Sequence, residues 1–99
     1  MKKEINDKYS ELARIFKAIC HPSRLYIIDR LKNEPVCVSR LSEEIGDDIS
    51  TISRHLKVLK EAGIILDVRD GNKIRYKLIM NCVPTTVIPC INKARCIST

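Results

Sequence analysis

The sequence has no apolar run long enough to cross a bilayer. Its longest purely aliphatic stretch is Ile64-Ile65-Leu66, against roughly 20 residues for a spanning helix. No apolar segment follows the Lys-rich N-terminus, so a secretory leader is not expected. The five cysteines, Cys20, Cys37, Cys82, Cys90 and Cys96, form no Cys-x-x-Cys pair, which excludes zinc-ribbon and thioredoxin-type motifs. There is no glycine-rich phosphate loop, no carboxylate pair set for acid–base work and no Cys–His pair with an orienting group. An enzyme is therefore not expected. Internal repeats and low-complexity tracts are absent. What remains is a small cytoplasmic binding protein, no membrane partner indicated, with reduced thiols in place of structural disulfides.

Charge is what the chain has in excess. Lys and Arg number 18 against 12 Asp and Glu, a net charge of +6 on 99 residues. Such a balance favours a polyanionic partner, either nucleic acid or an anionic surface. The 44% hydrophobic content argues against disorder. A chain this short builds one domain with a thin core, and small chains often gain stability from a partner subunit.

Apolar periodicity orders the chain. Leu12, Ile15, Phe16 and Ile19 recur at helical spacing on one face. Pro22 ends that helix and opens the next, marked by Leu25, Ile28 and Leu31. Asn33-Glu34-Pro35 breaks the second helix, and Val36 to Val38 is a short apolar piece. Ser39 to Ile45 reads as a short helix with Leu41 and Ile45 inward, stopped at Gly46. Asp47 or Asp48 can cap a longer helix with Ile49, Ile52, Leu56 and Leu59 inward, ending at Ala62-Gly63. Two alternating runs follow around Asp70-Gly71-Asn72, a hairpin signal. Ile64, Leu66 and Val68 are the apolar positions of the first run, and Ile74, Tyr76 and Leu78 those of the second. From Met80 onward a helix can form, with a kink expected at Pro89.

This order describes a mainly α fold with a small β-hairpin, a winged helix-turn-helix, spanning residues 1–99 as one DNA-binding domain. Residues 39–62 form the helix-turn-helix and 64–79 the wing. The off-stripe residues of the longer helix are Ser50, Thr51, Ser53, Arg54, His55 and Lys57, with no acidic residue between Ser50 and Lys60. Hydroxyls allow close approach to bases or phosphates. Arg54 suits a guanine edge, and Lys57 suits a phosphate. In the wing, Lys73, Arg75 and Lys77 are expected outward, with Arg69 joining them from the facing strand, on a phosphate track or minor groove. Such cations also protect an edge strand from aggregation. Cys20 is expected in the core, His21 as a cap and His55 toward DNA.

Three segments carry a family resemblance. Ser50-Thr-Ile-Ser-Arg-His-Leu-Lys-Val-Leu-Lys-Glu-Ala-Gly63 resembles the recognition helix of the ArsR/SmtB metal- and stress-sensing repressors. Phe16-Lys-Ala-Ile-Cys-His-Pro-Ser-Arg-Leu25 is similar to the opening of that family's second helix, and Val68-Arg-Asp-Gly-Asn-Lys-Ile-Arg-Tyr76 to its wing. The resemblance covers about residues 9 to 79. It implies a homodimer built from the first and last helices, here residues 1–20 and 80–99. It also implies repression of a two-fold symmetric duplex operator, with release by an effector.

The resemblance also bears on the thiols. Where the family often carries Cys-Val-Cys-Asp-Leu with a further Cys, this chain reads Cys37-Val38-Ser39-Arg40-Leu41-Ser42. A hydroxyl is a poor substitute for a soft thiolate, so a three-thiol site there is not expected. No His follows His55, so the zinc site that some members place on the last helix is not expected either. Cys90 and Cys96 resemble the C-terminal pair with which some members bind trivalent arsenic or antimony, and Cys37 or Cys82 could add a third sulfur. Six residues of continuous helix rise about 9 Å, so direct bridging of Cys90 and Cys96 needs a broken tail or a second subunit. No resident cofactor is expected, only an arsenite or antimonite effector. Reversible thiol oxidation is the alternative trigger, and a winged-helix protein-interaction module without an operator is the alternative of another class.

Overall fold

The computed structural model describes the backbone of residues 1–98 and the side chains of residues 1–95. Helix α1 spans Lys3–Ile19 and α2 spans Pro22–Leu31. Between them His21 is extended, and its ring nitrogen accepts the Ser23 N–H, so the imidazole caps α2 while Pro22 fills a position that needs no N–H. Strand β1 (Val36–Cys37) leads directly into α3 (Val38–Ile45). Gly46 ends α3 at φ +91, a left-handed conformation that only glycine adopts without strain, and its N–H bonds the Ser42 carbonyl. Helix α4 (Ile49–Glu61) follows. Of the two candidate caps, Asp48 is the one used: its carboxylate accepts the Thr51 N–H at 3.1 Å.

Strands β2 (Ile65–Asp70) and β3 (Lys73–Leu78) form the hairpin. Gly71, at φ +64, takes the first of its two loop positions, the pattern of a type II′ turn. The sheet has three antiparallel strands in the order β1-β3-β2. The short Val36–Cys37 segment is thus a third strand, paired Val36 to Tyr76 and Cys37 to Arg75.

The core collects Ile27, Ile28 and Leu31 of α2, Leu41 of α3, Ile52, Leu56 and Leu59 of α4, with Ile64, Ile65, Leu78 and Val83. Several placements differ from the sequence-based reading. In β2 the buried residue is Ile65, and Leu66 and Val68 are exposed. Ile64 is also buried but precedes the strand, so the alternation begins one residue later, and with a period of two that exchanges the faces. Ile49, in the first turn of α4, is exposed, and so is Cys20, which ends α1 beyond the core. Leu12 and Phe16 are exposed as well; α1 meets the core through Ala18, Ile19 and the partly buried Ile15.

The tail is a π-helical turn, Val83–Val87, running into α5 (Ile88–Ser98). A proline ring collides with the carbonyl four residues back in a regular helix. The wider turn ahead of Pro89 makes room for it. The irregularity therefore lies before Cys90, and the helix is continuous from Cys90 to Ser98. A break between Cys90 and Cys96 is not present.

Candidate nucleic-acid interface

Helix α4 is seated by Ile52, Leu56 and Leu59, each at most 1% exposed. The opposite arc presents Ser50, Ser53, Arg54 and Lys57 to solvent, with Thr51 partly covered at its border. Among the described residues Arg54 and Lys57 form no ion pair, so both cations remain available to an anion. Asp48, at the start of α4, is turned to its cap: the Thr51 and Ser50 groups hold its carboxyl below the usual carboxylate range. The capped N-terminus and buried stripe make α4 a rigid rod, and the arc between them carries hydroxyls and positive charge.

His55 does not share that arc. It is buried, with its ring 4.5 Å from that of His21 and its Nδ1 accepting the Arg24 Nε–H at 3.1 Å. The reason is angular: on α4, residue 55 lies between the core positions 52 and 59 (helical steps of three and four), so it shares their face. Arg24, thirty-one residues away, supplies the partner, and no local signal in the sequence indicates it.

The wing also differs in one residue. Residues directly opposite in an antiparallel pair share a face, and the register pairs Val68 with Arg75, Asp70 with Lys73, and Arg69 with Ile74. Lys73, Arg75 and Lys77 are exposed on one face. Arg69 lies on the other, with Ile74 and Tyr76, because the alternation in β2 is shifted by one. Arg75 approaches Asp70 at 3.9 Å.

Among the described residues the cysteines form no disulfide. Cys37 is half-buried at the N-terminus of α3, its Sγ 3.2 Å from the Ser39 hydroxyl. That hydroxyl, with the Arg40 backbone N–H, pulls the thiol below its ordinary pKa. Cys82 and Cys90 are exposed. The Cys96 side chain lies outside the described residues. Among the described residues, no group of three His, Cys, Asp or Glu side chains is arranged to hold a metal ion.

A second surface stands apart from the cationic one. Ile5, Tyr9, Leu12 and Phe16 form an exposed apolar stripe along α1. Phe16 and Ile19 continue it into a groove of 380 Å³ against Leu25, Ile88 and Ile91 of α2 and α5.

Residues 21–66 match the bacterial regulatory proteins of the arsR family. The chain is 38% identical over 74 residues to an uncharacterized HTH-type transcriptional regulator, MJ1325, of Methanocaldococcus jannaschii, covering 74% of this chain and 83% of that one. The chain belongs to the ArsR family. These ArsR/SmtB proteins are DNA-binding transcriptional repressors, not enzymes. Another ArsR-type relative, the HTH-type transcriptional regulator NmtR of Mycobacterium tuberculosis, is 38% identical over 69 residues, 70% of this chain and 58% of that protein. The arsenical resistance operon repressor of Staphylococcus xylosus is 36% identical over 70 residues, 71% of this chain and 67% of that repressor. The homodimeric winged helix-turn-helix domain of Mb0332 from Mycobacterium bovis superposes with a TM-score of 0.83 at 21% identity, over 100% of this chain and 94% of that domain. Its likeness establishes the winged-helix fold. Among the described residues no helix is long and apolar enough to cross a membrane.

Proposed function

We propose that two copies of this chain bind a two-fold symmetric operator in duplex DNA and repress transcription until a thiol-reactive effector, trivalent arsenic or antimony, releases them. The observation that carries the DNA reading is the exposed arc of α4, where Ser50, Ser53, Arg54 and Lys57 face solvent on a core-seated helix and, among the described residues, neither cation is ion-paired. A helix so presented fits the major groove, and the Lys73–Lys77 cations of the wing fit the flanking phosphates. The α1 stripe and the adjoining groove support dimerisation, since apolar surface of this extent gains free energy when covered. A repressor acting on operator DNA would work in the cytoplasm, where thiols stay reduced.

The effector reading rests on thiol chemistry and on the resistance-operon repressor among the relatives. One continuous helix carries Cys90 and Cys96 six residues apart, too far to share one arsenic atom directly. A centre built on them therefore draws sulfur from the partner subunit, with Cys37 or Cys82 as further donors. Depression of the Cys37 pKa favours a second reading, oxidation of a reactive thiolate.

Both readings are separated by titrating the dimer on its operator duplex, followed by fluorescence anisotropy, with arsenite in one series and peroxide in the other. Release by arsenite supports the metalloid reading, and release by peroxide alone replaces it with the redox one. Failure to prefer any sequence over bulk DNA at matched salt overturns the repressor reading in favour of a protein-interaction module.

A further inference from the structure

Arg24 joins three helices through one guanidinium. Its Nη1 donates to the Ala18 carbonyl at the end of α1 at 3.2 Å, and its Nε donates to His55 Nδ1 on α4 at 3.1 Å. The His21 ring stands 4.5 Å from that of His55, and its own Nδ1 accepts the Ser23 N–H at 3.1 Å. His55 spends its Nδ1 lone pair on the Arg24 N–H, so it is held neutral with the proton on Nε2. His55 is 9% exposed, the one buried polar or charged side chain in the described core, and nothing in the DNA-facing arc uses it.

We propose that Arg24 and His55 are positioning residues for operator recognition, holding α4 at its reading angle only while His55 is neutral, so that acid weakens operator binding. The inference rests on the reading of α4 as the DNA-contacting helix. A proton on Nδ1 removes the acceptor that Arg24 uses and sets imidazolium against guanidinium across the same 3.1 Å. The other groups facing His55 decide whether that charge is tolerated. His21 at the start of α2 and Arg54 on α4 oppose it, and Asp47, in the turn before α4, favours it. Lys57 and Glu61 of α4 line the cleft beside the two rings. From α1, Arg14 and Lys17 line the adjoining cleft with Arg24. Burial, then His21 and Arg24, outweigh Asp47 and hold the His55 pKa below its ordinary value. Protonated His55 is therefore favoured in arrangements that release α4, and DNA selects the arrangement that keeps it seated.

The sign of the effect separates this device from ordinary electrostatics. Acidification adds positive charge, which by itself strengthens attraction to phosphates. Uncoupling a single proton-sensitive seat instead weakens binding, by up to about tenfold per pH unit below the imidazole range.

The test uses the full chain and a duplex that the wild-type protein selects from a random-sequence pool at neutral pH. Dissociation constants are compared at pH about 7.5 and about 5.5 at constant ionic strength. The wild type is expected to lose affinity at the lower pH, by less than the roughly tenfold that an imidazole of ordinary pKa would give. His55→Asn places Oδ1 near the Nδ1 position, accepts from Arg24 and takes no proton. It should keep sequence-selective binding at neutral pH, weakened by the lost ring contacts, and show no acid loss. Arg24→Gln should weaken binding already at neutral pH. Equal or tighter wild-type binding in acid overturns the proposal, as does an acid loss that persists in His55→Asn. Should the variants not fold, ¹⁵N NMR of the wild-type imidazoles decides. An Nε2–H tautomer titrating below the ordinary value supports the seat, and an ordinary titration overturns it. Binding at neutral pH with no acid response refutes this inference alone, whereas selection of no sequence at any pH refutes the operator reading with it.

Discussion

Tyr26 on α2 donates its hydroxyl to Glu44 on α3 at 2.7 Å. The same carboxylate accepts from Arg30 of α2 and Arg40 of α3, each at 3.0 Å. Helix α3, only eight residues long, is thereby tied to α2. The Tyr26 hydroxyl first, then Arg30, holds the Glu44 carboxyl at a pKa of about 2. Its folded pKa is depressed, so the stabilisation is complete above the usual carboxylate range and is lost as pH falls through about 2. Glu44→Gln should lower Tm at neutral pH, with the gap to the wild type closing as pH approaches that value. Circular dichroism melts across the acid range check this, and a gap independent of pH counts against it.

Leu41 is fully buried where α3 meets α4. Leu41→Ala should cost about 2–5 kcal/mol through lost burial and the cavity left behind. The exposed neighbour Glu43→Ala should stay within about 0.5 kcal/mol. Urea unfolding of the two variants gives the comparison.

Arg54 and Lys57 share the exposed arc but are assigned different tasks. Arg54→Ala should cost about 1–3 kcal/mol of operator affinity and relax preference at one base pair. Lys57→Ala should weaken all sequences alike and lower the slope of log affinity against log salt by about one. Binding isotherms at several salt concentrations distinguish them, and identical salt slopes would refute the division of labour.

Phe16 is 60% exposed in the single chain, at the junction of the α1 stripe and the groove. If a second copy covers it, Phe16→Glu removes about 1.5–3 kcal/mol of apolar burial per site. With two sites per dimer this is about 3–6 kcal/mol, or dissociation at roughly 10²- to 10⁴-fold higher concentration. Sedimentation velocity should show folded monomer where the wild type is dimeric; an unchanged dimer would place the interface elsewhere.

Cys90→Ser and Cys96→Ser should keep operator binding and lose release by arsenite, read by anisotropy on the bound duplex. Normal release in both variants would clear the α5 thiols of a sensory role.

Much of the architecture was legible along the chain. The α3–Gly46–α4 unit could be read because its signals are local: a leucine stripe, a glycine stop and an aspartate cap within a few residues of one another. The hairpin was readable for the same reason, through Asp70-Gly71-Asn72. Solvent exposure on α4 was legible at Ser50, Ser53, Arg54 and Lys57 but not at His55, which the structure buries. Arg69 was placed with the wing cations, although register sets it on the opposite face. In both errors the deciding partner is distant: Arg24 for His55, and β3 for the strand that carries Arg69.

Periodicity, caps and turn residues therefore determined from the sequence alone that this is a basic, mainly helical chain with a helix-turn-helix and a wing. They could do so because each acts over a few residues of backbone. Tertiary structure decided which side of β2 meets the core, that His55 turns inward to Arg24, and that the Ile5–Phe16 stripe is left uncovered. Those outcomes depend on which surfaces remain after the core has filled, and a one-residue shift in a strand or a 100° step on a helix is enough to reverse them.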